Sequence, residues 1–438
     1  MTARQTLQLL RAHESRNVLF TEPDGSWPIV WERAKGVHVW DAGGKKYLDL
    51  TAAFGVAAAG HANPNVVKAG QKQMGKLLHA MGDVHPHALK AQLARELSRI
   101  TFERWTNQSK VQNQKSKTLT GKVIFSNSGF EAVESALKTS LLATGKRGVI
   151  AFEGGYHGLG YGALNTTHRE HFRSPFRSQL GKFGHFAKFP LQSADMPALE
   201  ASLRNHFRRQ TIGAILVEPI QARGGINVPP LEFLPLLRKL CNEYGALLIL
   251  DEIYTGFGRT GKWFACEHSG VVPELICLGK ALTGGFPLSA CVGRTAVMDA
   301  AWPVSNGEAI HTSTFLGHPV GCAMALAQIN EIRRLKLFEH SAELGKFLLS
   351  ELSKVQSAKS KVDARGLGLM VGLELSLPKG KPATAESLTA IKRLLHRGYI
   401  FLPEGEHANV ISFTPPLTIT KAQLTQAVTE LKQVLATD

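Results

Sequence analysis

The sequence has few cysteines, no long apolar run and a shortage of acidic side chains. Its five cysteines are scattered and odd in number, with no CxxC pair, so neither a disulfide framework nor a zinc site is expected. No apolar run approaches the roughly 18 residues of a membrane span, and Met1–Phe20 is too mixed for a secretory signal. These absences predict a protein of the reducing cytoplasm that does not enter a membrane.

Basic residues outnumber acidic ones, with 51 Lys and Arg against 35 Asp and Glu and a net charge of +16. A surplus of this kind is typical of nucleic-acid-binding proteins. Here, however, the basic residues are spread along the chain, and no nucleic-acid-binding motif accompanies them. We therefore expect no nucleic-acid partner and interpret the charge as a basic surface that attracts anionic ligands.

The middle of the chain alternates short apolar runs with segments of helical spacing such as Glu131–Leu142 and Phe233–Tyr244. Runs that are apolar throughout are typical of strands covered on both faces, as in a parallel sheet. The alternation predicts an α/β architecture with right-handed crossovers. The predicted strands are Lys122–Phe125, Gly148–Phe152, Gly213–Val217, Ala246–Leu250 and Leu275–Leu278.

The two ends of the chain follow a different pattern. Val37–Leu50 is typical of a small hairpin, and the polar stretch Trp105–Thr120 is expected to be an exposed loop. We expect residues 1–60 to join a small α+β domain, residues 61–325 to form a large domain and residues 326–438 to complete the small one. The predicted C-terminal elements are helices Ala327–Leu337, Ser341–Ser353, Ala385–His396 and Lys421–Leu435, with strands Leu369–Leu375 and Asn409–Phe413.

Four of the predicted central strands end in polar residues. Asp251 and Glu218 directly follow two of the apolar runs, and Lys280 follows a third after one glycine. A Ser-Asn-Ser-Gly turn follows the fourth run, Lys122–Phe125. Because ligands of open parallel sheets bind at the carboxyl ends of the strands, these residues predict a site at that edge.

Lys280 lies between a predicted strand and a turn of small residues. A lysine that loses its solvent inside a site also loses its proton, and its amine then becomes a nucleophile for an aldehyde. On its own a lysine is more often a solvated charge, and Asp251 on its own is more often a helix cap or ion-pair partner. Together they match enzymes of pyridoxal 5'-phosphate (PLP), which need a lysine for a Schiff base and a carboxylate against the pyridine nitrogen.

A phosphate site and an aromatic ring complete this set. Ser128, Gly129 and Phe130 lead into the predicted helix from Glu131, whose free N–H groups can bind an anion. Tyr156 lies in a Gly-Gly-Tyr-His-Gly segment just after a predicted strand and can stack on a ring. The sequence therefore supplies a partner for each end of the cofactor and for its face.

Seven motifs follow one another along nearly the whole chain. They are NSGFEAVESALK, EGGYHG, EPIQ, DEIYTGFGRTG, LGKALTGGFPLSA, HTSTFLGHPVGCAMALA and DARGLGLMVGLEL. This combination resembles the class III (omega-type) PLP-dependent aminotransferases. The resemblance implies PLP fold type I, with a mostly parallel seven-stranded sheet in the large domain, and a homodimer with shared active sites.

The resemblance also implies roles for individual residues. Lys280 would form the Schiff base and shuttle the proton, and Asp251 would contact the pyridine nitrogen. Ile253 and Tyr156 would pack on opposite faces of the ring. Thr314 would reach the phosphate of the neighbouring subunit, which makes a dimer necessary for function. The implied cofactor contacts are Ser128, Gly129, Phe130, Tyr156, His157, Glu218, Asp251, Ile253, Tyr254, Lys280 and Thr314.

Two of these positions depart from the family pattern. Many relatives have a small or hydroxyl residue in place of Phe130, but a contact from the backbone N–H does not depend on the side chain. Many relatives have Gln in place of Tyr254, and the tyrosine hydroxyl can offer a contact to the cofactor's 3-oxygen instead.

A third departure concerns the substrate. Relatives that use glutamate, ornithine or 4-aminobutyrate usually carry an Arg before a late proline pair, where this chain has Ser412. The same relatives often have a Glu after the EPxQ motif, where this chain has Arg223. A guanidinium binds a carboxylate through two hydrogen bonds, so Arg223 is the predicted anchor for a substrate carboxylate. The alternative is that Arg223 faces solvent or pairs with a nearby acid.

The predicted function is the transfer of an amino group from a primary amine or amino acid to a 2-oxo acid, in two half-reactions at Lys280. One scaffold can host several reactions, so aminomutase or decarboxylase chemistry is the alternative. A PLP-fold binding module without catalysis is a further possibility, which the presence of both Lys280 and Asp251 disfavours.

Overall fold

The computed structural model describes residues 1–23, 25–108 and 119–436. Its strands are β1 (Trp31–Lys35), β2 (His38–Asp41), β3 (Lys46–Asp49), β4 (Gly121–Ser126), β5 (Gly148–Phe152), β6 (Gly184–Ala187), β7 (Ile212–Val217), β8 (Leu247–Asp251), β9 (Leu275–Leu278), β10 (Ser289–Arg294), β11 (Lys361–Leu367), β12 (Met370–Ser376), β13 (Tyr399–Ile400), β14 (Leu402–Glu404) and β15 (Val410–Phe413).

The helices are α1 (Ala3–His13), α2 (Ala52–Gly55), α3 (Pro64–Met74), α4 (Ala88–Ser98), α5 (Arg104–Gln108), α6 (Gly129–Thr144), α7 (Tyr161–Leu164), α8 (Glu170–Arg173), α9 (Met196–Arg209), α10 (Phe233–Tyr244), α11 (Thr295–Ala301), α12 (Pro319–Arg334), α13 (Leu337–Leu352), α14 (Thr384–His396) and α15 (Lys421–Ala436). The short element α2 is a left-handed turn, since φ is positive throughout it.

The central sheet has seven strands in the order β4-β10-β9-β8-β7-β5-β6. Strand β10 is antiparallel to both of its neighbours, and the remaining pairs are parallel. Alternate residues of the strands belong to two apolar clusters, so that Leu248 and Leu250 pack with α10 while Ile249 packs with α6. Because successive side chains point to opposite faces, helices cover both faces of the sheet. The predicted α/β fold is confirmed.

Two smaller sheets flank the central one. The first, in the order β1-β2-β3-β13, contains the predicted N-terminal hairpin, and its strand β13 runs parallel to β3. The second, in the order β11-β12-β15-β14, is antiparallel and is formed by the C-terminal part of the chain. The parallel pairing of β3 with β13 therefore joins the N-terminal hairpin to the C-terminal region.

Some element boundaries differ from the prediction. The predicted helix Ala327–Leu337 is wrong at both ends, because α12 begins at Pro319 and stops at Arg334. Lys336 then adopts a left-handed φ of 49° before α13 begins. The predicted loop Trp105–Thr120 is wrong at its start, because α5 extends to Gln108; residues 109–118 of that loop lie outside the described residues. Strands β6 and β10 of the central sheet were not predicted, and neither were β1, β11, β13 and β14 of the smaller sheets.

The described residues also bear on the membrane and disulfide predictions. In residues 1–23, 25–108 and 119–436, no helix has both the length and the apolar character that a membrane crossing requires. All five cysteines are free and buried.

Candidate functional site

A cavity of about 440 Å³ lies at the carboxyl ends of the central strands. The residues that line it follow β4, β5, β7, β8 and β9, which is the edge where the sequence predicted a site. All of the predicted site residues except Ser128 and Thr314 line it. The lining consists of Gly129, Phe130, Tyr156, His157, Gly158, Leu159, Glu218, Ala222, Arg223, Asp251, Ile253, Tyr254 and Lys280.

Lys280 begins the short turn that follows β9, with a left-handed φ of 42°. Its Nζ lies 4.1 Å from the centre of the Tyr254 ring. Burial lowers the pKa of the Lys280 amine to about 8, although Asp251 and other nearby acids oppose that shift. This amine therefore loses its proton more readily than an ordinary lysine and is more available as a nucleophile or base.

Asp251 ends β8, and hydrogen bonds hold both of its carboxylate oxygens. Oδ2 lies 2.8 Å from His157 Nδ1, and Oδ1 accepts from the Ile253 N–H at 3.1 Å. In this hydrogen bond a carboxylate oxygen accepts and the His157 Nδ1–H donates. The His157 backbone N–H donates to Thr167 Oγ1, which fixes the histidine in turn. The arrangement presents one oriented negative charge to the cavity.

Glu218 connects the loops that follow β5 and β7. Its carboxylate accepts from the Tyr156 N–H at 2.9 Å and from the Ala222 N–H at 3.1 Å. Burial raises the pKa of Glu218 to about 7; His157 opposes this rise and Asp251 adds to it. Glu218 therefore fixes the backbone that carries Tyr156.

The N-terminus of α6 lies at another side of the cavity. Gly129 and Phe130 are its first two residues, and first-turn N–H groups have no partner inside a helix. A Cβ at Gly129 would lie 3.1 Å from Ile253 Cδ1, so glycine allows this close approach. The Ser128 hydroxyl donates to Glu131 Oε2 at 2.7 Å and thus takes part in capping the helix. The turn offers backbone donors and a positive dipole to an anion.

The unusual Phe130 is accommodated by glycines in the loop after β5. A Cβ on Gly158 would lie 2.3 Å from Phe130 Cβ, and one on Gly160 would lie 2.5 Å from its ring. Neither position can carry a side chain while Phe130 is present. The phenylalanine therefore packs against the same loop that presents Tyr156 and His157 to the cavity.

Two tyrosines line the cavity in different ways. The Tyr254 hydroxyl lies 3.2 Å from Thr414 Oγ1, so it is already hydrogen-bonded, and burial raises its pKa to about 12. Tyr156 presents its ring, over which the Arg223 guanidinium lies 5.7 Å from the ring centre. Tyr254 therefore contributes mainly its ring, which the Lys280 amine faces.

Arg223 pairs loosely with Glu404, an acid that the sequence analysis missed. Arg223 Nε lies 3.7 Å from Glu404 Oε2, an ion pair without a hydrogen bond. Glu404 ends the three-residue strand β14 and belongs to no motif, so only the fold brings it beside Arg223. Ser412, at the position of the missing arginine, is buried and donates to the Leu402 carbonyl. Thr314 is exposed and outside the cavity.

The cavity residues fit PLP at each part of the molecule. Lys280 offers a deprotonatable amine for the aldehyde, and Asp251 offers a fixed carboxylate for the ring nitrogen. The N-terminus of α6 offers N–H groups for the phosphate.

Comparison with known proteins agrees with this chemistry. The family model for aminotransferase class III matches residues 20–435. The chain is 37% identical to an acetylornithine aminotransferase from Methanosarcina mazei, over 93% of this chain and 92% of the relative. It is 37% identical to a putrescine aminotransferase from Pectobacterium atrosepticum, over 94% of this chain and 83% of the relative.

A solved structure is similar over the same extent. It is a PLP-bound amine transaminase from an uncultivated Pseudomonas species, 27% identical, with a TM-score of 0.85 over 96% of this chain and 97% of that one. The family match spans nearly the whole chain, and the cofactor of the family is PLP. The chain belongs to the class III aminotransferases and is a PLP-dependent aminotransferase that transfers amino groups to 2-oxo acids.

Proposed function

We propose that Lys280 is the lysine that bonds to the PLP aldehyde and that its amine moves the proton during amino transfer. The observation that carries this proposal is the position of Lys280 in the cavity at the carboxyl edge of the sheet, together with Asp251. The lowered pKa of the Lys280 amine, about 8, supports it. When bound, PLP supplies a ring that accepts electrons and stabilises the negative charge left on the substrate carbon. A lysine amine freed from its proton at neutral pH can take up the proton that leaves that carbon.

Asp251 is the partner of the pyridine nitrogen in this proposal. Its charge holds a proton on that nitrogen, which is what allows the ring to accept electrons. The hydrogen bonds from His157 and from the Ile253 N–H support this role, because they fix the carboxylate without neutralising it. His157 is thus a positioning residue that acts through Asp251.

The phosphate is held by the N–H groups of Gly129 and Phe130 next to the helix cap Ser128, and the partner's Thr314 completes the site. The free first-turn donors of α6 support this assignment. Tyr156 and Ile253 line the cavity and would pack on opposite faces of the cofactor ring. Two further predicted residues contribute in other ways. Glu218 acts indirectly, by accepting a hydrogen bond from the Tyr156 N–H, and Tyr254 contributes its ring, which the Lys280 amine faces.

Arg223 anchors the carboxylate of the oxo acid. It lines the cavity, its side chain is one-third exposed, and it makes no hydrogen bond to its partner Glu404. A guanidinium beside the site that is not saturated with acceptors can form a bidentate contact with an incoming carboxylate. Ser412 cannot replace it, because its hydroxyl carries no charge and already donates to a carbonyl.

The working unit is a homodimer. Two chain segments expose a group of large apolar side chains, and Thr314 lies in the second segment. The Thr312 hydroxyl donates to Asp83, and His79 packs against Phe315, which holds the two segments side by side. An exposed apolar surface of this kind is typical of subunit interfaces. The exposed residues are Met74, Leu77, Leu78, Met81 and Val84, with Ile310 and Phe315.

The domain division and the location are also proposals. The pairing of β3 with β13 supports a small domain made of residues 1–60 and 326–438, with residues 61–325 forming the large one. The five free, buried cysteines support a reducing cytoplasmic location.

Borohydride reduction followed by peptide mapping tests the proposal. The protein should be yellow, and reduction should fix the cofactor on Lys280. Lys90 is a matched control within the same protein, because burial also lowers its pKa although it lies outside the cavity. Cofactor found on Lys90 or on any other lysine would overturn the assignment.

Aminomutase and decarboxylase chemistry has no support from the relatives described above, both of which are named as aminotransferases. A two-substrate assay that yields the amino counterpart of the added oxo acid separates transfer from these reactions. A panel of amines and amino acids, followed by loss of the lysine-bound cofactor absorbance, then identifies the donor class.

A further inference from the structure

Two acidic side chains, Asp251 and Glu218, line the cavity, and a third, Glu404, lies next to the lining residue Arg223. The three differ in how many hydrogen bonds their carboxylates accept. Asp251 accepts from His157 and from a backbone N–H, and Glu218 accepts from two backbone N–H groups. Among the described residues, no donor forms a hydrogen bond to the carboxylate of Glu404. Glu404 is therefore the acid whose charge is still available to a ligand.

Glu404 is also buried, and a buried carboxylate that accepts no hydrogen bond is uncommon. The residue is 3% exposed, and a buried carboxylate without hydrogen bonds is unfavourable. Burial raises its pKa to about 7, while the nearby cations Arg223 and Lys280 oppose the rise. The charged groups that act on it are Arg223, Lys280, Glu218 and Arg169.

The backbone holds Glu404 firmly beside the site. Strand β14 pairs with β15, with Glu404 opposite Val410. The next residue, Gly405, donates its N–H to the Arg223 carbonyl at 3.1 Å. A Cβ on Gly225 would lie 3.4 Å from Gly405 Cα, so the two loops touch through glycines. Glu404 thus occupies a fixed position relative to the loop that carries Arg223.

Arg223, in contrast, is held loosely. Its Nε is buried without a hydrogen bond, and its distance of 3.7 Å from Glu404 is too long for one. Its side chain is 33% exposed, against 2% for Glu404. The guanidinium can therefore move away from a carboxylate that stays in place.

We propose that Glu404 recognises a second ammonium group on the amine donor, so that the preferred donor is a short α,ω-diamine. This inference rests on the proposed function of the same cavity. With a diamine bound, the distal ammonium donates to Glu404 in place of the displaced Arg223, and the pair of opposite charges is preserved. With an oxo acid bound, Arg223 donates to the carboxylate. One cavity then accepts a donor with a distal cation in one half-reaction and an anion in the other.

The test compares donors of equal length in single-turnover reactions of the PLP-loaded enzyme. The pair is 1,4-diaminobutane and n-butylamine, which differ only in the distal ammonium. Glu404→Gln should lower kcat/KM for the diamine by roughly 10- to 100-fold, the range expected for one charged hydrogen bond. The loss should appear mainly as an increase in the diamine concentration that gives half of the maximal single-turnover rate. The value for butylamine should change by less than about threefold.

Two further variants serve as controls. Glu406→Gln makes the same change at an exposed position two residues along and should leave both donors unaffected. Glu404→Asp keeps the charge and should recover part of the preference for the diamine. This variant also shows whether the loss of activity in Glu404→Gln is only a failure to fold.

Three results would overturn the inference. Equal losses with both amines would indicate a structural role for Glu404. A loss confined to the oxo-acid half-reaction would mean that Glu404 only positions Arg223, and no change would mean that Glu404 does not touch the donor. Failure of the proposed function is distinguishable, because wild-type enzyme would then carry no cofactor on Lys280 and react with neither amine.

Discussion

Replacement of Asp251 by asparagine tests the electrostatic centre of the site without changing its shape. The carboxylate is 5% exposed and accepts from the Ile253 N–H through Oδ1. An asparagine carbonyl oxygen can keep that hydrogen bond, so the end of β8 should stay in place. The substitution removes the negative charge that faces His157 and the cavity. The variant should therefore fold and retain part of its cofactor.

The expected loss of turnover follows from the value of one oriented charge in a dry site. Removing a single electrostatic contact of this kind costs about 2.7–4 kcal/mol in the transition state, or roughly a hundred- to a thousandfold in kcat. The chain's own lysine should respond as well. Asp251 is the strongest of the acids that oppose the burial-driven fall in the pKa of Lys280, so its neutralisation should lower that pKa below about 8.

The assay follows single-turnover rates, cofactor content by absorbance, and thermal unfolding for Asp251→Asn. Glu252→Gln is the matched control, because Glu252 is the adjacent residue, is fully buried, and accepts from the N–H groups of Ala265 and Cys266 rather than facing the cavity. The control should unfold at a lower temperature yet turn over normally per folded molecule. Near-normal turnover in Asp251→Asn, or an equal loss in the control, would refute the reasoning.

Three further predictions concern the substrate and the partner subunit. Arg223→Ala should raise KM for oxo acids roughly 10- to 100-fold and spare donors without a carboxylate; equal effects on both would indicate a structural role. Since the pKa of Glu404 is raised to about 7, its carboxylate is ionised above that pH and neutral below it. The ratio of kcat/KM for 1,4-diaminobutane to that for n-butylamine should therefore rise as pH increases through 7, and a flat ratio would exclude Glu404. Thr314→Asp and Lys280→Ala chains should each be inactive alone but regain activity in mixed dimers, and no recovery would contradict shared sites.

The central sheet could be predicted where its strands consist of large apolar residues. Strands β5 and β9 were predicted with their observed bounds, and β7 and β8 to within one residue at each end. Strand β10, Ser289–Arg294, was missed because it is built from small residues. Its Gly293 explains why, since a Cβ there would lie 2.5 Å from Leu275 Cδ2 and from Met298 Sδ. Close packing in the sheet selects small residues, and these lack the apolar pattern of a strand.

The candidate site could be predicted where reactive side chains follow the ends of predicted strands in recognisable motifs. Asp251 and Lys280 were found in this way, and both line the observed cavity. Glu404 could not be found, because nothing in a three-residue strand marks an acid as buried or as close to Arg223. That proximity arises from the pairing of β14 with β15 and from contacts between glycines of two distant loops. Glu404 is recognised as part of the site by its burial and by its proximity to Arg223, and the residue type alone reveals neither.

The charges at the substrate end suggest why an arginine is absent before the late prolines. Ser412 is buried and its hydroxyl donates to the Leu402 carbonyl, so the position before the late prolines carries no charge. The cation instead lies on the loop after β7, at Arg223, and the opposing acid lies on β14, at Glu404. Glu404 is buried and held by the pairing of β14 with β15, whereas the Arg223 side chain is one-third exposed, so in our proposal the fixed charge next to the cavity is negative. A stationary acid favours a donor with a distal cation, whereas a mobile arginine is sufficient for an oxo acid that must enter the same space in the second half-reaction.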